Sequence, residues 1–232
     1  MLALRAVTVG QFALALRSAR SRPMLVHFPG TMSDPIARTL AYYDQHASEF
    51  IERTANVSME HVYAPFLELI PSGGKILDAG CGSGRDSVFF ARRGYQVTAF
   101  DGSAVLAQLA SERTGLRVLH QTFDDINWRD EFDGVWACAS LLHLPGEEIG
   151  SALARIALAL RRGGVLFVSM KAGRFEGTRD GRWFTDTTPA LLRQLITDTG
   201  VLGPLRVWET EEARPELTVA WVNALARVNR TE

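Results

Sequence analysis

The sequence predicts an α/β fold: a doubly wound, mostly parallel sheet with helices on both faces. Three stretches predict it. Lys75-Ile-Leu-Asp-Ala-Gly-Cys-Gly-Ser-Gly-Arg-Asp-Ser-Val-Phe-Phe90 passes from a short apolar run through a glycine turn into a helix start, the strand–turn–helix unit of nucleotide-binding folds. Tyr95–Phe100 alternates as a second strand and ends at Asp101, where such folds set an acid for ribose hydroxyls. Gly146–Leu160 is an amphipathic helix, and the run Gly164–Ser169 after it is almost wholly apolar. That run reads as a central strand covered on both faces.

The bulk properties narrow the function. A chain of 232 residues allows one α/β domain with a full core. Apolar residues make up 47% and charged residues 22%, with a formal charge of −1. That balance argues against an electrostatic grip on nucleic acid. No apolar run approaches the ~18 residues of a membrane span. Cys81 and Cys138, the only cysteines, form no metal-type pair, so no metal is expected and a reducing, cytoplasmic setting fits. A catalytic thiol at Cys81 is not expected, because the glycine turn there needs only a small residue.

Along the chain, residues 1–31 contain Arg5, Arg17, Arg20 and Arg22 but no acid. They are expected to be a poorly ordered extension, with Met32 the natural start. From Pro35 to Thr54 the residues Ile36, Leu40, Tyr43, Ala47, Phe50 and Ile51 recur at helical spacing. Ser33 or Asp34 can cap this helix, and Pro35 suits its first turn. A second helix is expected from Ser58 to about Leu69. Pro71-Ser-Gly-Gly74 then leads into the strand at Lys75. Residues 32–72 thus form a helical cap, and 73–230 a core with which it makes a single domain.

The glycine turn carries the chemistry. Gly80, Gly82 and Gly84 alternate behind Asp78, letting the backbone turn sharply and approach a ligand. The dinucleotide pattern G-x-G-x-x-G fails, because Arg85 or Ser87 stands where the third glycine belongs. A P-loop is absent too. The pattern is D-x-G-x-G-x-G, and a carboxylate ahead of the turn suits an ammonium better than a pyrophosphate. S-adenosylmethionine (SAM) carries an ammonium, and a carboxylate that suits a helix N-terminus.

At this point the stretch resembles motif I of the class I SAM-dependent methyltransferases, and the likeness extends over about residues 35–228. Gly-Cys-Gly-Ser-Gly-Arg-Asp-Ser with Gly94-Tyr-Gln-Val most resembles the tellurite-resistance and small-molecule branch. The resemblance implies a seven-stranded sheet whose last strand is antiparallel, with helices ahead of it that cover the cofactor. It implies SAM contacts at Asp78, Gly80, Cys81, Gly82 and Gly84 for the methionine end, and at Asp101 with Gly102 for the ribose. Phe123 would cover the adenine, and Asp124 or Asp125 would accept from its amino group. Ala139, after the strand Phe132–Cys138, would face the transferred methyl.

Candidates for the acceptor side come from the flanks. His143 follows the fourth strand and could act as a general base, its ordinary pKa lying near neutrality. Tyr42 is freer than the core-facing Tyr43 to meet a ligand. Lys171–Thr187 combines Arg174, Arg179 and Arg182 with Phe175, Trp183 and Phe184 on the ligand side of the sheet. Its arginines could bind an anionic group, and Trp183 and Phe184 could close over the acceptor. The bland alternative is a solvated hairpin turning at Asp180-Gly181.

The expected function is methyl transfer from SAM to O, N or S of a small-molecule acceptor by a cytoplasmic monomer or homodimer. Three rivals remain. An NAD(P)-dependent oxidoreductase would need the absent G-x-G-x-x-G. An RNA-modifying methyltransferase would need a basic face, for which only the arginines at 174–182 are candidates. A non-catalytic SAM-fold binding protein often erodes motif I, which is intact here. The Asn/Asp-Pro-Pro-aromatic tetrad of amino-methylating DNA enzymes is missing after the fourth strand.

Overall fold

A computed structural model of the chain describes residues 34–213 and 218–229. The expectations for residues 1–31 lie outside the described residues. Three helices come first: α1 (Asp34–Gln45), α2 (Ala47–Thr54) and α3 (Glu60–Leu67). The core then runs β1 (Lys75–Ala79), α4 (Arg85–Arg92), β2 (Gln96–Asp101), α5 (Ala104–Thr114), β3 (Val118–His120) and β4 (Phe132–Cys138). It continues with α6 (Gly146–Ala159), β5 (Leu160–Lys171), a hairpin of β6 (Glu176–Arg179) and β7 (Arg182–Thr185), and α7 (Pro189–Asp198). β8 (Leu202–Glu211) and β9 (Ala220–Val228) complete it.

The main sheet has seven strands in the order β3-β2-β1-β4-β5-β9-β8. β1 to β5 pair in parallel, and β9 enters antiparallel between β5 and β8. The two-residue alternation of the central strands builds two cores. On β5, Leu166, Val168 and Met170 face α6 and α7, joining Leu153, Ile156 and Leu192. Val165 and Phe167 face the other way, joining Trp136 of β4, Phe90 of α4 and Phe66 of α3. The reversal of strand order between β1 and β4 opens a crevice at the carboxyl ends of the strands, where such folds bind ligands.

Two expected elements differ. The helix anticipated over 35–54 is broken at His46, where the Tyr42 carbonyl accepts from both the His46 backbone N–H and Nδ1. Such local side-chain bonding competes with helix propagation. The helix ending at Leu160 gives way at once to strand, because Leu160 already pairs with Phe132. Arg161-Arg-Gly-Gly164 is therefore strand with an irregularity, not a helix stop. Gly164 sits where a Cβ would lie 2.9 Å from the Arg161 carbonyl oxygen. Among the described residues no helix is long and apolar enough to cross a membrane, and no cluster could hold a metal ion.

Candidate active site

The crevice is organised by the turn between β1 and α4. Gly80, Gly82 and Gly84 have φ of 76°, 53° and 69°, a conformation that strains any L side chain. Close approach adds a second demand. A Cβ on Gly80 would lie 2.5 Å from the Ser140 Cβ, and one on Gly82 2.9 Å from Cε1 of Phe50. The Gly80 and Cys81 N–H groups donate to the Phe100 carbonyl at 3.0 and 2.9 Å. Asp101 completes the lock: Oδ2 accepts from Gly82 N at 2.8 Å and Oδ1 from Ser103 N at 2.9 Å. Burial pushes the Asp101 carboxyl up, while these two backbone donors oppose the shift. Each oxygen retains a lone pair for a further donor.

A cavity on the β2 side of the turn is lined by Gly80, Gly82, Asp101, Gly102, Phe123, Asp124 and Ala139, with Leu40 and Ile36 of α1 above. It also takes in Gln121 and Ser140. Gln121 Oε1 and Ser140 Oγ are buried without a hydrogen-bond partner, which is costly unless a polar ligand supplies one. Apolar walls, an acid at the strand end, an orphan amide oxygen and a cradle that a Cβ would fill all fit an adenosine moiety. Ser103 ties this half of the cleft to α1. Its hydroxyl donates to Asp44 Oδ1 at 2.6 Å and accepts from Leu106 N at the start of α5.

A second chamber shares Tyr43, Phe50, Gly80, Gly82, Ala139 and His143 with the first and continues toward Lys171, Arg182, Phe184 and Asn223. His143 is bonded on both ring nitrogens: Nδ1 to the Trp183 carbonyl at 2.7 Å and Nε2 to the Tyr43 hydroxyl at 2.8 Å. A carbonyl only accepts, so Nδ1 carries the proton and Tyr43 donates to Nε2. Burial lowers the His143 pKa to about 4, with Arg182 and Lys171 adding to the fall. Burial likewise raises that of the Tyr43 phenol. The pair is therefore neutral at neutral pH. Ala139 enters the chamber wall from a left-handed conformation, φ 54°, that turns β4 sharply toward Ser140.

The expected residues divide clearly. Gly80, Gly82, Asp101, Gly102, Phe123, Asp124, Ala139 and His143 converge on the cleft, and Cys81 lines the second chamber. Asp124 and Asp125 part company, as two adjacent acids must. Asp124 lines the cavity beside Arg155 at 3.6 Å, while Asp125 Oδ2 accepts from the N–H and hydroxyl of Thr122. Asp78 lines neither chamber. It lies beneath the turn, accepting from Ser87 Oγ at 2.6 Å, and burial beside Asp86 pushes its carboxyl up. Gly84 is likewise behind the turn, against Thr114.

Of the residues expected on the acceptor side, Arg182 and Phe184 line the shared chamber. Arg174 opens onto a separate cavity under β6. Arg179 pairs with Asp186 at 3.1 Å and lies over Phe175. Trp183 turns away, its Nε1 donating to Thr185 Oγ1, because strand alternation puts it opposite Arg182 and Phe184. Tyr42 stacks on His46 and packs against the hairpin turn at Gly181. Tyr43 takes the ligand-facing place. The stretch 171–187 is indeed a hairpin turning at Asp180-Gly181, but it is docked: Phe184 is buried, and Trp183 N donates to Thr39 Oγ1 at 2.8 Å.

Sequence reasoning missed Leu40, Gln121, Ser140 and Lys171 as lining residues. It also missed the buried carboxylate of Asp86, which accepts from Arg85 and Tyr63 at 2.5 Å and from Trp136 Nε1 at 2.8 Å. Those donors and the adjacent guanidinium hold it charged, its pKa lowered despite burial. Gln121 was within reach of the pattern, since an amide can replace an acid at the adenine edge.

Residues 76–164 match the family described as methyltransferase domain. That segment runs from β1 into β5, and the sheet order above is the one that the resemblance to class I SAM-dependent methyltransferases implies. Over 120 residues it is 36% identical to the ubiquinone biosynthesis O-methyltransferase of Xanthomonas axonopodis pv. citri, covering 49% of this chain and 48% of that one. Over 136 residues it is 25% identical to TehB of Haemophilus influenzae, a probable SAM-dependent methyltransferase, covering 56% and 47%. The chain thus spans about half the length of these curated relatives. Similarity extends beyond any one branch. The fold is shared with the 1,6-didemethyltoxoflavin-N1-methyltransferase of Burkholderia thailandensis, solved with S-adenosylhomocysteine. The TM-score is 0.69 at 23% identity, over 88% of this chain and 94% of that one.

Proposed function

We propose that the chain is a cytoplasmic enzyme that transfers the methyl group of SAM to O, N or S of a small-molecule acceptor, with residues 32–72 capping a core of 73–230. The observation that carries this reading is Asp101. It is held at the end of β2 by the N–H groups of Gly82 and Ser103 and lines a cavity with two unpartnered polar atoms. Asp101 would hold the ribose, Phe123 and Leu40 would enclose the base, and Gln121 or Asp124 would meet its polar edge. The Gly80–Gly84 backbone would hold the methionine end.

When bound, SAM supplies a methyl on a positively charged sulfur, open to in-line displacement. The chain's own residues orient and dehydrate the acceptor, which can contribute up to roughly 7–11 kcal/mol. Tyr43 presents a phenol oxygen whose proton is committed to His143, so that oxygen can accept from an acceptor O–H or N–H. His143 thus acts through Tyr43, orienting the phenol. It does not stand free as a base.

Calorimetric titration with S-adenosylhomocysteine tests the reading. Micromolar binding is expected for the wild type, and Asp101→Ala should weaken it by about tenfold or more, roughly 1–3 kcal/mol. A parallel thermal midpoint separates loss of the ligand contact from loss of the turn. A wild-type protein that takes up no S-adenosylhomocysteine would remove the methyltransferase assignment.

A further inference from the structure

The acceptor chamber holds two cations that have no ion pair among the described residues. Lys171 at the end of β5 and Arg182 at the start of β7 both line it. Neither is in a salt bridge among the described residues, whereas Arg85, Arg161 and Arg179 all are. Both charges instead rest on rings. Lys171 Nζ lies 4.1 Å from the Phe184 centroid, and the Arg182 guanidinium lies 5.2 Å from the same ring and 4.8 and 5.7 Å from Tyr42 and Tyr43. Arg182 Nε is buried with no hydrogen-bond partner.

A ring face stabilises a cation's charge but leaves its N–H donors unused. With Arg179 at 5.3 Å, three like charges surround the Phe184 ring, and, partly removed from water, they repel one another. Burial and the neighbouring Arg179 and Arg182 lower the Lys171 pKa accordingly. Acids stand nearby: Asp186, committed to Arg179 at 3.1 Å, and Glu212 oppose that fall. Asp86 is saturated by its own donors, Asp180 and Glu211 are exposed, and Glu212 accepts from Trp221 Nε1. The inner end, next to His143 and Tyr43, thus carries two cations outside any salt bridge among the described residues and the unpartnered Arg182 Nε.

We infer that the acceptor carries an anionic oxygen group, a carboxylate or a phosphate ester, which Arg182 and Lys171 hold while its nucleophilic atom lies against Tyr43. The inference rests on the methyltransferase reading and adds the acceptor's chemical class to it. An anion there would satisfy the orphan Nε, bring a negative charge into salt-bridge distance of both cations and take the fork geometry that guanidinium offers. The walls formed by Phe184 and Tyr43 suit a flat or apolar body attached to that group.

The test uses three probes of one shape: benzoate, phenyl phosphate and neutral benzamide. Each is titrated by ligand-observed NMR into the full chain, with and without saturating S-adenosylhomocysteine. An anionic probe should bind at least tenfold more tightly than benzamide, and whichever anion prevails identifies the group. Lys171→Met keeps the apolar stem and removes the charge, and Arg182→Met does the same. Each should cost the anion about tenfold while leaving the S-adenosylhomocysteine affinity within about twofold and the thermal midpoint near wild type. No preference over benzamide, or an anion preference that survives both substitutions, overturns the inference. So does a tenfold loss of S-adenosylhomocysteine affinity in Lys171→Met, which would assign that cation to the cofactor's own carboxylate. If the wild type binds no S-adenosylhomocysteine, the methyltransferase reading fails, and the unloaded titration still decides whether the anion site exists.

Discussion

His143 is held by two hydrogen bonds, to Tyr43 and to the Trp183 carbonyl, and its pKa falls to about 4 from the ordinary 6.5. Its contribution to stability has a definite sign. Between those values the unfolded chain binds the proton that the folded chain refuses, so stability rises with pH across the window. The contribution is complete above about pH 6.5 and is lost as pH falls toward 4, by up to about 3 kcal/mol. Thermal midpoints measured from pH 7 to 4.5 should therefore fall in the wild type and fall less steeply in His143→Gln. A parallel decline in both proteins would show that His143 is not the titrating group. The same protonation state explains why a free general base was the wrong expectation for this residue: its basic nitrogen is already occupied by Tyr43. Tyr43 itself was placed inward by periodicity, and correctly so. Inward on α1, however, means toward the cleft, and a hydrophobic pattern cannot tell a buried core from a buried site.

The element that fixes the chemistry is the β1–α4 turn, and it was the most legible part of the chain. D-x-G-x-G-x-G states a backbone requirement directly, and the structure meets it with positive φ at all three glycines. Legibility stopped at the residues pressing on the turn. Nothing in the motif says that Ser140, beyond β4, would lie against Gly80. Gly80→Ala should therefore be worse than its φ alone implies. Left-handed strain costs about 1–2 kcal/mol, and a Cβ 2.5 Å from the Ser140 Cβ must displace backbone after β4. The expected result is a lowered thermal midpoint together with weakened S-adenosylhomocysteine binding. Gly94→Ala, also at positive φ (86°) but with open space around it, is the control and should lose stability alone. Equal ligand affinity in Gly80→Ala and the wild type would refute a tight fit between turn and cofactor. The hairpin of β6 and β7 teaches a complementary lesson. Its turn was readable at Asp180-Gly181, but its arginines were judged by composition, whereas the two-residue alternation of the strand decides which of them reach the cleft.

At the scale of the whole molecule, the strand order follows from parallel pairing and short connections, which sequence patterns convey well. The roof of the cleft does not, because segments far apart in sequence make it. Thr39 on α1 is the clearest junction. It is buried, its hydroxyl donates to the Pro35 carbonyl at 2.9 Å, and it accepts from Trp183 N of β7 at 2.8 Å. Tyr43, one helical turn on, makes the bond to His143, and His143 in turn bonds the Trp183 carbonyl. Both main-chain polar groups of Trp183 are thus held by side chains of the cleft, so α1 and the hairpin should open as one unit. Thr39→Val keeps the shape but leaves the part-buried Trp183 N without its acceptor, at a cost of roughly 1–3 kcal/mol. Amide hydrogen exchange should then quicken by about ten- to a hundredfold in α1 and in β6–β7 together, while β1, β4 and β5 exchange as in the wild type. S-adenosylhomocysteine at about a hundred times its Kd should restore some 2.7 kcal/mol of protection to both segments, the amount expected of a ligand that binds only when both are in place. Quickening confined to β7, with α1 unchanged, would show that the two halves of the roof move independently and that the Tyr43–His143 bond alone holds the helix over the cleft.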